Sequence, residues 1–424
     1  MTSQSTPRRP GQQAPQTPES SAPVALVAVR RIFATETPNF FLLLGTTIFL
    51  VIFGLVMVLS SSSIESKLAN DSFFTAFLKQ GLYAVVAIPL MLLASRMPIA
   101  FWKRMARPAI IIGVGLQLLV FSPLGYDYGG NRNWINLGAF SAQPSEVVKI
   151  ALIVWIAFVL TREVDDPTDW KRRFIPVGVA SIVAIGFVLV GKDLGTAIVM
   201  GITVFGCLYF AGVKLRYLAA VGVMVAAVGM MFAFASSSRS DRINAWLYGC
   251  TADDYMNICW QPMHGTWALA AGGVFGVGLG NSKAKWSWLP EADNDYIFAI
   301  IGEELGLIGA VVVLILFVVL AIAFIRVIRA NTDPFARIVT AGVMVWIIGQ
   351  ALINIAVVLG LLPVLGVPLP LISAGGSALI ASLLAIGVVL SFARKPAAFA
   401  TPVLDLSPAE RSRLAASSRL RTRP

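Results

Sequence analysis

Between Gly272 and Gly309 the chain reads GGVFGVGLGNSKAKWSWLPEADNDYIFAIIGEELGLIG, and in it carboxylates (Glu291, Asp293, Asp295), amines (Lys283, Lys285) and aromatics (Trp286, Trp288, Tyr296) crowd among glycines. A carboxylate can take a proton from a hydroxyl, and cations can stabilise charge developing on a leaving oxygen. Arg132, Glu146, Lys149 and Arg242 lie outside this stretch in otherwise apolar surroundings. Glu146 and Lys149 are one helical turn apart. An intrahelical ion pair explains them, and so does a water-filled cavity that they share with Arg132. His264, the single histidine, cannot make a metal site alone and reads as a surface residue.

The elements that position these groups are membrane helices. The 424 residues are 57% hydrophobic and 13% charged, with mean hydropathy +0.79, a balance no water-soluble globular fold carries. Ten apolar stretches of spanning length are centred near Phe49, Val85, Leu116, Val154, Ala184, Thr203, Val225, Val313, Trp346 and Leu383. The expected fold is an all-α polytopic membrane protein of about ten helices, with a long extracytoplasmic loop over 236–295 between the seventh and eighth. Residues 1–34 read as a disordered cytoplasmic tail, 35–397 as the membrane domain and 398–424 as a basic cytoplasmic tail. Lys and Arg cluster at Arg96–Arg107, Arg162–Arg173, Lys214–Arg216 and Arg326–Arg337, which puts both termini in the cytoplasm. The net charge of +11 follows from that topology and from anionic headgroups, not from nucleic acid.

Local signals fill in the connections. Asp193, three residues before Thr196, reads as the N-cap of the sixth helix. Gln350 and Asn354 read as interhelical hydrogen-bond groups. Lys79 and Gln80 are either interfacial snorkelling residues or part of a polar cavity. The prolines of LLPVLGVPLPLISAGGS, followed by Gly375, Gly376 and Ser377, mark a kinked or re-entrant approach to the tenth helix. Cys207 reads as a packing residue. Cys250 and Cys259 are either two free thiols or a bridge worth about 2–3 kcal/mol. The glycine run after His264 has a dinucleotide-like spacing but no preceding strand, and is set aside.

Four stretches, NRNWINLGAFSAQPSEVVKIAL, KDLGTA, GVFGVGLGNSKAKWSWLPEADNDYIFAIIGEELG and QALINIAVVLGLLPVLGVPLPLISAGGS, together resemble the FtsW/RodA (SEDS) family of cell-wall polymerases, most closely its division-specific FtsW branch in an actinobacterial version. The resemblance implies a peptidoglycan glycosyltransferase that polymerises lipid II at the outer face of the cytoplasmic membrane. It implies Asp295 as the catalytic carboxylate, although Asp293 and Asn294 replace the family's His and Thr. Arg132, Glu146, Lys149, Arg242, Lys283, Lys285, Glu291 and Ser377 are the candidates for substrate or pyrophosphate binding. A class B penicillin-binding protein, other divisome proteins and the nascent glycan strand are the implied partners. No cofactor is evident, and whether a divalent cation, Mg2+ or Mn2+, bridges the pyrophosphate is left open by the sequence. A lipid II flippase, an elongation polymerase of the RodA type and a divisome scaffold are the alternatives. Asp295 also stands where an N-cap should stand, which would lower its pKa. A base role therefore demands an opposing push from desolvation or from Glu291 and Asp293.

Overall fold

The computed structural model describes residues 36–68, 72–136, 138, 141–162, 170–234, 237–251, 254–286 and 288–394. Both expected tails, 1–34 and 398–424, fall outside the described residues. In chain order the elements are α1 (Pro38–Leu68), α2 (Thr75–Ala94), α3 (Ile99–Leu119), β1 (Gly125–Tyr128), β2 (Asn131–Asn136), β3 (Ser141–Ala142), α4 (Pro144–Thr161), α5 (Trp170–Val190), α6 (Leu194–Phe210), α7 (Leu215–Phe234), α8 (Ser237–Tyr248), α9 (Trp260–Gly272), α10 (Ile297–Ala330), α11 (Pro334–Val358) and α12 (Gly376–Phe392). A helix stands at each of the ten apolar centres. Seven of them (α1, α2, α4, α5, α7, α10 and α11) are long and apolar enough to cross a membrane, and α6 and α12 are shorter apolar helices. The chain is a helical, multi-pass membrane protein.

Helix ends follow local chemistry. Pro144 and Pro334 open α4 and α11 in their first turns, where a missing N–H costs nothing. Asp193 accepts from Thr196 N at 2.8 Å at the start of α6, as its position predicts. The centre of the bundle is α4, α11 and α12. α11 lies against α4, α6 and α10, and α12 against α2. At Gly387 a Cβ would come within 2.5 Å of Met91 O, so only glycine lets α12 and α2 pack this closely. Cys207 is a buried free thiol, and Cys250 and Cys259 are joined by a disulfide.

Three features depart from the sequence reading. The turning segment before α4 is an antiparallel sheet of order β1-β2-β3. The connection between α7 and α10 contains α8 and α9. His264 is buried rather than on the surface, with its ring centroid 4.0 Å from that of Trp260 and 5.8 Å from that of Trp288, and its Nδ1 2.7 Å from Trp260 O. Aromatic stacking offsets the burial of its polar ring.

Candidate functional site

The acidic stretch ends at α10, where Tyr296 is the N-cap and makes no side-chain capping bond. Asp295 therefore does not cap the helix, contrary to its position in sequence. Instead the chain turns at Glu291, a non-glycine residue at φ 54, whose carbonyl accepts from Asn294 N and Tyr296 N at 3.1 Å each. The return segment between α11 and α12 then holds this turn by its backbone. Ser373 Oγ donates to Asn294 O at 2.6 Å, and Ala374 N donates to Asp293 O at 2.8 Å. Asn354 Nδ2 bridges Asp295 O and Val367 O, at 2.7 Å each. Gln80, buried on α2, donates to Ser373 O at 3.1 Å, which places it inside the protein and not at an interface. These bonds fix the main chain and leave the Asp295 carboxylate free. A Cβ at Gly366 would lie 3.6 Å from its Oδ2.

Among the described residues nothing donates a hydrogen bond to that carboxylate. Asp295 keeps some accessible surface, yet the protein packed around its oxygens removes most of their water. This desolvation, with repulsion from Glu291, Asp193 and Asp293, pushes its pKa from 3.8 up to about 7, against the opposing pull of Arg242. The predicted push is thus present, with Asp193 as a contributor the sequence did not suggest. Burial and the Asp295 charge also raise the Tyr296 hydroxyl.

The neighbouring acids are anchored. Glu291 accepts from the Tyr128 hydroxyl of β1 at 2.8 Å and from Asn294 Nδ2 at 3.2 Å. Asp193 accepts from Gln143 Nε2 at 3.1 Å, and Gln143 N donates to Ser377 Oγ at 3.3 Å. Ser377 thus reaches the site through Gln143. Arg242 is exposed and lines a cleft of about 80 Å³ with Asn131, Lys192, Arg239 and Pro363–Leu365. Lys192 and Arg239 are cations the candidate set lacked; Arg239 is held by Phe232 O and Lys192 O.

Other candidates are spent elsewhere. Arg132 donates to Val120 O and Ser122 O at 3.2 Å each, and so ties β2 to the end of α3. Lys285 is buried, with its ammonium 3.1 Å from Glu304 Oε1 and 2.7 Å from Gly280 O. Lys285 thus has its charge paired with an acid, whereas Arg132 is oriented by two carbonyls and, among the described residues, keeps an uncompensated guanidinium. Glu146 and Lys149 form a buried pair at 2.8 Å. Lys149 also lies over the Trp346 ring and donates to Gln350 Oε1, while Gln350 Nε2 donates to Pro368 O. The pair therefore supports the return segment from below. Lys283 is exposed, and its backbone N–H is bound by Glu303. Among the described residues no three His, Cys, Asp or Glu side chains converge to hold a metal.

A model of the FtsW/RodA/SpoVE cell cycle protein family matches residues 40–397. The chain is 39% identical over 358 residues to the probable peptidoglycan glycosyltransferase FtsW of Mycobacterium tuberculosis, covering 84% of this chain and 68% of that one. It is 38% identical over 349 residues to the protein of the same name from Geobacter sulfurreducens, covering 82% and 92%, and 35% identical over 355 residues to the stage V sporulation protein E of Bacillus subtilis, covering 83% and 96%. Among solved structures it superposes on a chain from a peptidoglycan synthase complex that coordinates polymerisation and crosslinking, with TM-score 0.67 at 23% identity over 83% of this chain and 96% of that one. The RodA protein of Thermus thermophilus gives TM-score 0.61 at 23% identity, with the same coverage. At that identity the shared property is the fold.

Proposed function

The chain belongs to the FtsW/RodA/SpoVE family, and from that premise we propose that it is a peptidoglycan glycosyltransferase that polymerises lipid II during cell division, with Asp295 as general base. The observation that carries the assignment is a carboxylate held on a pinned main chain and free of hydrogen bonds among the described residues, where desolvation and three neighbouring acids push its pKa up to about 7. A base works best when its pKa lies near the working pH, and an ordinary Asp does not meet that condition.

In the proposed step Asp295 takes the proton of the acceptor sugar hydroxyl while that oxygen attacks the donor's anomeric carbon. The bond from that carbon to the lipid pyrophosphate breaks with its electron pair, and the pyrophosphate leaves. Attack opposite the leaving group turns an α-linked donor into a β-glycosidic bond in one inverting displacement. Arg242 and Lys192, which line the cleft, offset the charge on the departing pyrophosphate. Glu291 and Asp193 keep the base protonatable by repulsion.

The orientation is part of the same reading. α10 runs from Asp295 to Arg326 and Arg329, and α3 begins with Lys103, Arg104 and Arg107. The rule that cytoplasmic loops are rich in Lys and Arg then puts Asp295 at the outer face and both termini inside. A class B penicillin-binding protein would crosslink the strands, a reading supported by the likeness to a chain from a peptidoglycan synthase complex that coordinates polymerisation and crosslinking.

Polymerisation of lipid II by purified protein with its cognate transpeptidase, read as glycan strands on a gel, tests the proposal. Strands from the unaltered protein and none from folded, partner-binding Asp295→Asn are expected. Equal strands from both would remove Asp295 from the mechanism. Lipid II crossing the bilayer with no strands from either would indicate a transporter.

A further inference from the structure

α10 is not continuous. At Gly306 its backbone leaves the helical region, with φ 68 and ψ −167. A break at membrane level is tolerated only if other protein groups take up the freed backbone donors and acceptors. Residues 273–278 do so. Val277 N and Gly278 N donate to the carbonyls of Glu303 and Glu304 at 3.0 Å each, while Leu307 N donates to Gly273 O at 2.9 Å and Ile308 N to Val274 O at 3.3 Å. The two strands of backbone touch so closely that a Cβ at Gly276 would lie 2.2 Å from Glu304 O. The segment's position on α10 is therefore fixed.

That position decides what its side chains face. Val274, Phe275, Val277 and Leu279 are exposed, Phe275 at 82%. Immediately beyond the break, α10 exposes Leu307, Ile308, Val311, Val312, Ile315 and Val318, the apolar surface of a helix long enough to span a membrane. From Leu307 to Ile325, just before Arg326, the helix extends about 28 Å at a rise of ~1.5 Å per residue. Hydrocarbon is ~30 Å thick. With Arg326 at one boundary, Gly306 falls at the other, and the exposed side chains of 274–279 continue the lipid-facing stripe of α10 there. Exposed Trp267, Trp286 and Trp288 flank the segment in sequence, and indoles favour the headgroup level.

We infer that residues 273–279 are an interfacial lipid anchor, with Phe275 and Leu279 at the headgroup–acyl boundary of the leaflet nearest Asp295. The anchor's partner is the bilayer itself, and it holds the long α7–α10 connection against the membrane.

Nitroxide labelling of Phe275→Cys and Leu279→Cys tests this. With Cys250 and Cys259 joined and Cys207 buried, the new thiol is the reactive one. The labelled full-length protein is reconstituted in phosphatidylcholine and phosphatidylglycerol vesicles, and collisions with oxygen and with a water-soluble nickel chelate are compared. Val312→Cys on α10 is the lipid reference, and Asp127→Cys on the exposed part of β1 is the aqueous one. The expected oxygen-to-nickel ratio at 275 and 279 is several-fold above that at 127 and approaches that at 312. A ratio equal to that at 127 would overturn the inference. Shielding from both reagents would overturn it too, because protein would then cover the segment.

Discussion

Glu303 and Glu304 follow Asp295 by about two helical turns, yet the surroundings of their carboxylates are opposite to those of Asp295. Glu304 accepts from Ser60 Oγ, Lys285 Nζ and Ser282 N, and Glu303 from Ser282 Oγ, Lys283 N and Ala284 N. The Asp295 carboxylate has no such donor among the described residues, and three other acids repel it. The first pair folds the GNSKAK turn onto α10. Asp295 is held in place by its main chain alone. Acids that are saturated with donors are committed to structure, whereas an acid positioned without them can exchange a proton.

The largest expected effect tests the unsaturated side of this contrast. Asp295→Asn should lower strand formation by roughly 10²–10⁴-fold while leaving the protein folded. The same variant reports on stability. Because the pKa is raised from 3.8 to about 7, the folded state holds the proton more tightly than the unfolded chain. Ionisation therefore destabilises the fold increasingly from pH 4 to pH 7. Asp295→Asn should melt higher than the unaltered protein at pH 8, and the difference should vanish below about pH 4.

Glu304→Ala tests the saturated side. It leaves the Lys285 ammonium buried without its carboxylate, at a cost of about 3–5 kcal/mol. A lower melting temperature in detergent is expected, with much of the loss recovered when Lys285→Met is added. If Glu304→Ala melted normally but made no strands, the contrast would fail and Glu304 would join the chemistry.

Asn354→Ala removes the amide that ties Asp295 O to Val367 O, a loss of about 1–3 kcal/mol. Its kcat should fall more than its KM rises, because the base is displaced while the cationic cleft is untouched. The smallest effects are shifts in pH dependence. Activity should rise with pH with a midpoint near 7, as Asp295 loses its proton. Glu291→Gln removes a repelling charge and should move the midpoint down; Arg242→Gln removes an attracting one and should move it up. A midpoint indifferent to both would show that these charges do not act on the base.

How legible the molecule was depended on how far apart the partners lie. The N-cap Asp193 and the pair Glu146–Lys149 bond three residues along the chain, so spacing revealed them. Arg132 and Lys285 looked unattached because their partners, Val120, Ser122, Gly280 and Glu304, are backbone groups or an acid that spacing alone does not pair with them. Asp295 looked like a cap because sequence gives only its position before a helix, whereas the turn at Glu291 moves the cap to Tyr296. Asp193 is a repelling neighbour of Asp295 only through tertiary packing. Trp260 and Trp267 stand at helical spacing from His264, but Tyr255 and Trp288 join them only through the fold, and together these four rings surround it.

The sequence by itself determined ten helices, the acidic stretch that ends at α10 and the kinked return before α12, because apolar length, glycine and proline act locally and lipid leaves few alternatives to a helix. Tertiary structure decided which charges stay free. Desolvation and pairing depend on groups brought together from α2, α6, α8, α11 and the return segment, and the same carboxylate is a structural anchor or a proton acceptor according to the donors packed around it.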